Sequence, residues 1–252
     1  MSPDCCTSLI KKLKRKLKIV FLVVIGFVVV GCATIPEGEE RSSRDPWDPL
    51  NRSTFEFNEK LDKLLIRPAT EGYVFIVPSP LREGVSNMIS NVLDVPTAVN
   101  DLLQGKPRDS LDDLSRVFVN STLGIGGILD VATAGGMDKR REDFGQTFAT
   151  WGIDSGPYLV LPLFGASSVR DAVGLGVDIM TDPLFQGIKQ KTLSNSITAI
   201  RFMDVRSKFL EAGDLLDGVV IDKYTFTRDI YFQRRRSLVD EGEVPTYIYD
   251  SN

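Results

Sequence analysis

Two stretches limit what this chain can fold into. Val117 to Leu129 holds thirteen consecutive uncharged residues and Ser155 to Val169 holds fifteen. Both are apolar and rich in backbone-breaking residues: Gly124, Gly126 and Gly127 in one, Gly156, Pro157, Pro162 and Gly165 in the other. Neither reaches the ~20 residues that an apolar helix needs to cross a bilayer. Either they form a buried core with close backbone packing, or they lie part-way into a membrane beside helices that satisfy their polar groups. Composition alone favours the first reading. The N-terminus favours the second.

That N-terminus carries Lys11, Lys12, Lys14, Arg15, Lys16 and Lys18, then a twelve-residue apolar run, Ile19 to Val30, broken only by Gly26. The pattern is that of a signal peptide. The run ends in Val29-Val30-Gly31-Cys32, which resembles the bacterial lipobox, where small and aliphatic residues precede a cysteine that receives a diacylglycerol. Val30 is bulkier than is usual there. An incidental cysteine after an ordinary anchor helix is the plainer alternative, but the polar segment Ala33 to Arg44 reads as a flexible tether. Ala33 is, by analogy, compatible with export to the outer membrane. The expected division is a signal peptide over residues 1–31, a lipidated tether over 32–44, a helical domain over 45–237 and a C-terminal tail over 238–252.

Charge and composition exclude several functions. Residues 1–31 contain six basic side chains and one acid; taking these from the 30 basic and 34 acidic residues of the whole leaves 24 and 33, a net of −9 for the remainder. Such an acidic body is a poor partner for nucleic acid. There is no histidine, so imidazole catalysis and histidine-ligated metals are out, and the single cysteine after the apolar run can build neither an internal disulfide nor a zinc cluster. No metal or cofactor is expected. An enzyme would need an activated nucleophile without a Gly-x-Ser-x-Gly elbow. A Ser–Lys dyad stays open, whereas the adjacent Asp112 and Asp113 do not face each other on a helix.

The rest of the chain reads as helices punctuated by Gly and Pro. Asn51 to Leu65 places Phe57, Leu61, Leu64 and Leu65 on one face, with Pro68 just beyond. Pro80 opens a helix bearing Leu81, Val85, Met88, Ile89 and Val92, and Pro96 is expected to restart the chain at a new angle. Ser110-Leu111-Asp112-Asp113 resembles a capping box for a helix with Leu111, Leu114, Val117 and Phe118. Further helices are expected over Ser167–Met180, Leu193–Glu211 and Asp222–Ser237. Strand signals are confined to Tyr158-Leu159-Val160-Leu161, a short extended stretch between prolines.

At this level of detail the residues match a known family. Asp45-Pro46-Trp47-Asp48-Pro49-Leu50-Asn51-Arg52 is similar to the opening of MlaA/VacJ lipoproteins. So are Asn100-Asp101-Leu102-Leu103-Gln104-Gly105, Asn120 to Gly127 with Asp130-Val131-Ala132, Glu142 to Thr147, Gly156 to Pro162, and the late Arg228 with Tyr231 to Arg234. The motifs run in collinear order from Asp45 to Arg234, with no match placed over Gln186–Arg201. The resemblance implies an all-α, ring-like arrangement of amphipathic helices embedded in one leaflet of the outer membrane, on its periplasmic side, with an amphipathic central channel. It also implies a place beside a trimeric porin, and removal of phospholipids to a soluble MlaC-like periplasmic carrier. A porin-associated assembly protein that moves no lipid is the alternative.

Within that frame Asp138 to Asp143, set between Gly135-Gly136 and Phe144, is a candidate mobile element at the channel. Lys139, Arg140 and Arg141 are candidates to meet lipid phosphate, and Phe144 and Tyr158 candidates to line the channel. A solvated surface turn is the plainer reading. Tyr224, Phe226, Tyr231 and Phe232 with Arg234 to Arg236 suit either a helix at the membrane interface or ordinary core packing.

Overall fold

The computed structural model describes residues 44–188, 190–211, 213 and 222–240. The signal peptide, Cys32, nearly all of the tether and the tail from residue 241 lie outside the described residues. What is described is largely helical, as expected. Helix α1 spans Asp48–Leu61 and passes through a π-helical turn, Asp62–Ile66, into α2, Arg67–Ile76. The chain therefore does not stop at Pro68. Proline lacks an N–H and crowds the carbonyl four residues back, and the widened π turn sits just ahead of it.

Helix α3 covers Ser79–Leu103, running unbroken through Pro96, against the expectation of a new start there. Two side chains add bonds to the helix around it: Thr97 donates to the Leu93 carbonyl at 3.1 Å and Asn100 to that of Pro96 at 3.0 Å. Helix α4, Pro107–Thr122, begins at its proline rather than at Ser110, which is buried inside the helix and caps nothing. Short helices α5, Val131–Ala134, and α6, Phe144–Thr150, are each started by a carboxylate, Asp130 accepting from the Thr133 N–H at 3.1 Å and Asp143 from that of Gln146 at 2.9 Å. Strands β1, Tyr158–Leu161, and β2, Gly165–Ser168, pair antiparallel with Tyr158 opposite Ser168. Helices α7 (Val169–Thr181), α8 (Pro183–Gln186), α9 (Lys191–Ser207) and α10 (Lys223–Val239) complete the body. The packed pairs close a circuit: α1 to the π turn and α2, α2 to α9, then α8, α7, β1 and back to α1, while α3 lies along α4.

The turn after α4 is left-handed at Ile125, Gly126 and Gly127. A Cβ on Gly124 would meet the backbone oxygens of Leu129 at 2.2 Å and Asn120 at 2.5 Å, and neither can rotate aside. Gly124→Ala is therefore expected to cost about 1–3 kcal/mol in denaturant unfolding. A loss within error of wild type would refute the close approach.

The polarity of the helices is reversed relative to a water-soluble protein. On α4 the buried residues are Ser110, Asp113, Arg116 and Asn120, while Leu111 (64% exposed), Leu114 and Phe118 (69%) face outward. On α3, Asn91, Asp94, Asn100 and Asp101 are buried, and Leu81, Met88, Val95, Val99 and Leu102 are exposed. Phe57, Leu64 and Leu65, expected on one apolar face, also point outward, as do Phe75 (91%) and Leu123 (71%). The apolar core is small: Tyr158, Val160 and Tyr224, with Phe55, Tyr231 and Phe232 packed around them. Three of the four α10 aromatics thus belong to the core.

That core holds a clamp. The Arg44 carbonyl accepts from the Tyr158 N–H at 2.8 Å. The buried Asp45 carboxylate accepts from Asn51 at 2.8 Å, from the Tyr224 hydroxyl and from Arg228 at 3.4 Å.

Candidate functional site

A polar interior between α3, α4 and the segment after α5 is what the reversed helices enclose. Its centre is Arg116, fully buried on α4. Its guanidinium donates to the Met137 carbonyl at 2.6 Å, to the Asp130 carboxylate at 3.2 Å and to the Thr133 hydroxyl at 3.0 Å, and lies 3.6 Å from Asp94. Burial raises the pKa of Asp94. Burial opposes ionisation of Asp130 too, but hydrogen bonds from Thr133 and Asn120 and the charge of Arg116 hold it down at about 2. Two turns on from Asp94 along α3 and one turn back from Arg116 along α4, Asp101 and Asp113 face each other. Burial and the Asp101 neighbour push Asp113 up to about 8, so this pair keeps a proton.

The charged segment is tied to neighbouring helices by side-chain contacts. Lys139 donates to Ser90 on α3, and burial lowers its pKa. Arg140 pairs with Asp109 at 3.1 Å and Asp112 at 3.5 Å on α4. The Arg141 carbonyl accepts from Gln146, and Glu142 accepts from Gln104 at 2.9 Å. Asp143 holds Arg235 of α10 through two hydrogen bonds, at 2.6 and 2.9 Å. Two of these charges, Arg140 and Asp143, meet opposite charges on other helices, while Lys139 and Glu142 bond to the neutral Ser90 and Gln104. Only the side chains of Asp138 and Arg141 form no hydrogen bond or ion pair among the described residues. Gly135 and Gly136 end α5, the latter left-handed at φ 84°, and lie exposed.

Phe144 opens α6, where its N–H donates to Asp178 at 3.2 Å. Tyr158 is fully buried against Tyr224, Tyr231 and Phe232, so it packs in the core and lines no channel. The structure therefore gathers Lys139, Arg140 and Arg141 on one strap but sets Tyr158 apart. Sequence reasoning missed Arg116, Asp94, Asp101, Asp113 and Asp130. Their signal was present: Ser110, Asp113, Arg116 or Val117, and Asn120 recur at helical spacing, but a polar stripe is ordinarily assigned to water.

A second concavity lies where α1, the hairpin tip, α9 and α10 meet. It encloses roughly 350 Å³, with Phe55, Phe164, Phe202 and Phe226 on its walls beside the paired Asp62 and Arg206, 2.8 Å apart. Apolar wall and paired charge together suit an amphiphile better than a polar metabolite. Among the described residues no group of three or more carboxylates or thiols is arranged to hold a metal, and no helix is long and apolar enough to cross a membrane.

Lys139 on Ser90 and Lys208 on Ser86 supply the Ser–Lys contacts left open by the sequence. Both serines sit inside α3, where helical bonds consume the backbone N–H groups that an oxyanion cradle requires.

The sequence model of the family described as MlaA lipoprotein matches residues 43–238. The chain is 32% identical over 236 residues to the intermembrane phospholipid transport system lipoprotein MlaA of Shigella flexneri, covering 91% of each. It is 31% identical to the protein of that description from Escherichia coli K12, again over 91% of each. A solved structure described as "Structural basis for maintenance of bacterial outer membrane lipid asymmetry" superposes with a TM-score of 0.68 at 31% identity. That similarity covers 79% of this chain and 100% of the other.

Proposed function

This chain belongs to the MlaA lipoprotein family, and from that premise we propose that it takes phospholipid out of the outer leaflet of the outer membrane and passes it to a soluble periplasmic carrier. The reading makes it a transport lipoprotein rather than an enzyme, held by acyl chains on Cys32, with its helices laid ring-like in the periplasmic leaflet next to a trimeric porin. Relatives described as parts of an intermembrane phospholipid transport system support it. The observation that carries it is the reversed polarity of α3 and α4, with Asp94, Asp113 and Arg116 inside and Leu111, Phe118 and Val99 outside. Water disfavours such a surface, and hydrocarbon accepts it.

The physical problem defines what the body must do. Two tails of ~30 methylenes in all gain on the order of 24 kcal/mol from burial at ~0.8 kcal/mol each, so free exit into water is far too slow. A polar headgroup cannot cross hydrocarbon unaided. A body apolar outside and polar inside gives the head a hydrogen-bonding route while the tails stay in lipid; an MlaC-like carrier then shelters the tails.

Deleting the gene is expected to raise phospholipid in the outer leaflet, read by surface-specific labelling, with porin trimers at normal abundance. Unchanged surface phospholipid with fewer trimers would instead establish the porin-assembly alternative. Cys32→Ala is expected to leave unlipidated precursor at the inner membrane; normal outer-membrane fractionation of that variant contradicts the lipid attachment.

A further inference from the structure

We propose that one face of α3, formed by Arg82, Ser86 and Ser90 with Lys208 and Lys139 laid against it, binds the phosphate of a phospholipid headgroup; the idea rests on the transport reading above. Residues 82, 86 and 90 are four apart, so they share a face. At 100° per residue that face lies roughly opposite the exposed row Leu81, Met88, Val95 and Val99. Two lysines from distant parts of the chain converge on it. Lys208, just past the end of α9, donates to the Ser86 hydroxyl at 2.6 Å, and Lys139 donates to that of Ser90. The ammonium groups therefore reach α3 about one turn, roughly 5–6 Å, apart. Both lysine residues are exposed enough to meet a ligand.

Four donors here lack acceptors. The hydroxyls of Ser86 and Ser90 accept from lysine but donate to nothing among the described residues, unlike Thr97 on the same helix, whose proton goes to the Leu93 carbonyl. Arg82 forms no hydrogen bond or ion pair among the described residues, and its Nε is buried without a partner. The Tyr73 hydroxyl beside it is likewise buried and unpartnered; burial and the Asp204 carboxylate push its pKa up, with Arg82 opposing. Unpaired buried donors are costly, and an acceptor relieves that cost.

Charge points to the kind of acceptor. Asp204 pairs with Lys208 at 3.0 Å, and Arg82 has no carboxylate at ion-pair distance among the described residues. A phosphodiester brings one negative charge and two free oxygens, enough to take a guanidinium, a hydroxyl and an ammonium at once. In a body with an apolar exterior, the phosphate that arrives is one carried by a lipid.

The test uses the full lipidated chain in dodecyl maltoside, which contains no phosphate. Binding of dihexanoyl-phosphatidylglycerol is followed by phosphorus NMR line broadening, and binding of phosphate-free dihexanoylglycerol by tryptophan fluorescence. Arg82→Gln and Lys208→Gln are each expected to weaken the phospholipid tenfold or more and leave dihexanoylglycerol within twofold. Ser86→Ala with Ser90→Ala, which removes only two oxygens, is expected to weaken it several-fold, and keeps the test valid where Arg82→Gln fails to fold. Unchanged phospholipid affinity in these variants overturns the assignment, as does equal loss for both ligands. Competition by inorganic phosphate at concentrations similar to the lipid would make this a soluble-anion site and also overturn it. Wild-type protein that binds as described yet transfers no lipid to a carrier sinks the transport reading and leaves this site standing.

Discussion

Arg116→Ala is expected to lower unfolding stability by about 3–5 kcal/mol, the range found when one partner of a buried ion pair is removed. The side chain has no exposure; its two terminal nitrogens donate to the Met137 carbonyl, Asp130 and Thr133, and its Nε lies 3.6 Å from Asp94. Alanine would leave Asp94 almost fully buried with no guanidinium beside it, and would release the strap that begins at Met137. Against a typical total of 5–15 kcal/mol, that loss is a large part of the stability. Urea unfolding in detergent, followed by far-ultraviolet circular dichroism, reads it. Arg116→Lys retains the charge but not the planar fork, and is expected to fall between the two. A loss below 1 kcal/mol for alanine would mean that the buried network does not hold α3, α4 and α5 together.

Replacing Leu111, Leu114 and Phe118 together by aspartate should have the opposite profile: little change in stability, but a large loss of membrane affinity. These side chains face outward on α4, away from the polar interior. Each large apolar side chain buried in lipid contributes about 1.5–3 kcal/mol, so three of them correspond to at least a hundredfold in partitioning, since 1.4 kcal/mol is tenfold. The measurement is liposome flotation of the chain expressed from Ala33 onward, where neither an acyl chain nor the apolar N-terminal run masks the effect. Equal flotation of the triple variant and its parent would place this face elsewhere than in lipid.

The contrast between these two variants reflects what the sequence could convey. Periodicity identified α1, α4, α7, α9 and α10 to within a few residues, because a repeat near 3.6 is visible in any solvent. It did not reveal which side of α4 faces inward, since a polar stripe through Asp113 and Arg116 reads the same whether water or protein lies against it. Pro96 misled because a proline removes a single helical hydrogen bond, and the packing of α3 along α4 carries the helix past it. The residues from Asp138 to Asp143 read as loose because their partners, Asp109, Gln104 and Arg235, are far away in sequence. Strand β2 left no signal of its own: Gly165-Ala166-Ser167-Ser168 is defined only by its pairing with β1.

The Asp45 clamp has a mechanical consequence. It joins the first described segment to α10, the last helix among the described residues. Under the proposed anchoring at Cys32, a pull along the segment before Arg44 would arrive at a junction braced by the first and last described parts of the body. The tension is shared by Asn51, Tyr224 and Arg228 and bypasses the buried charges between α3 and α4. Such a pull would load the seam between Asp45 and α10 before it reached the polar interior.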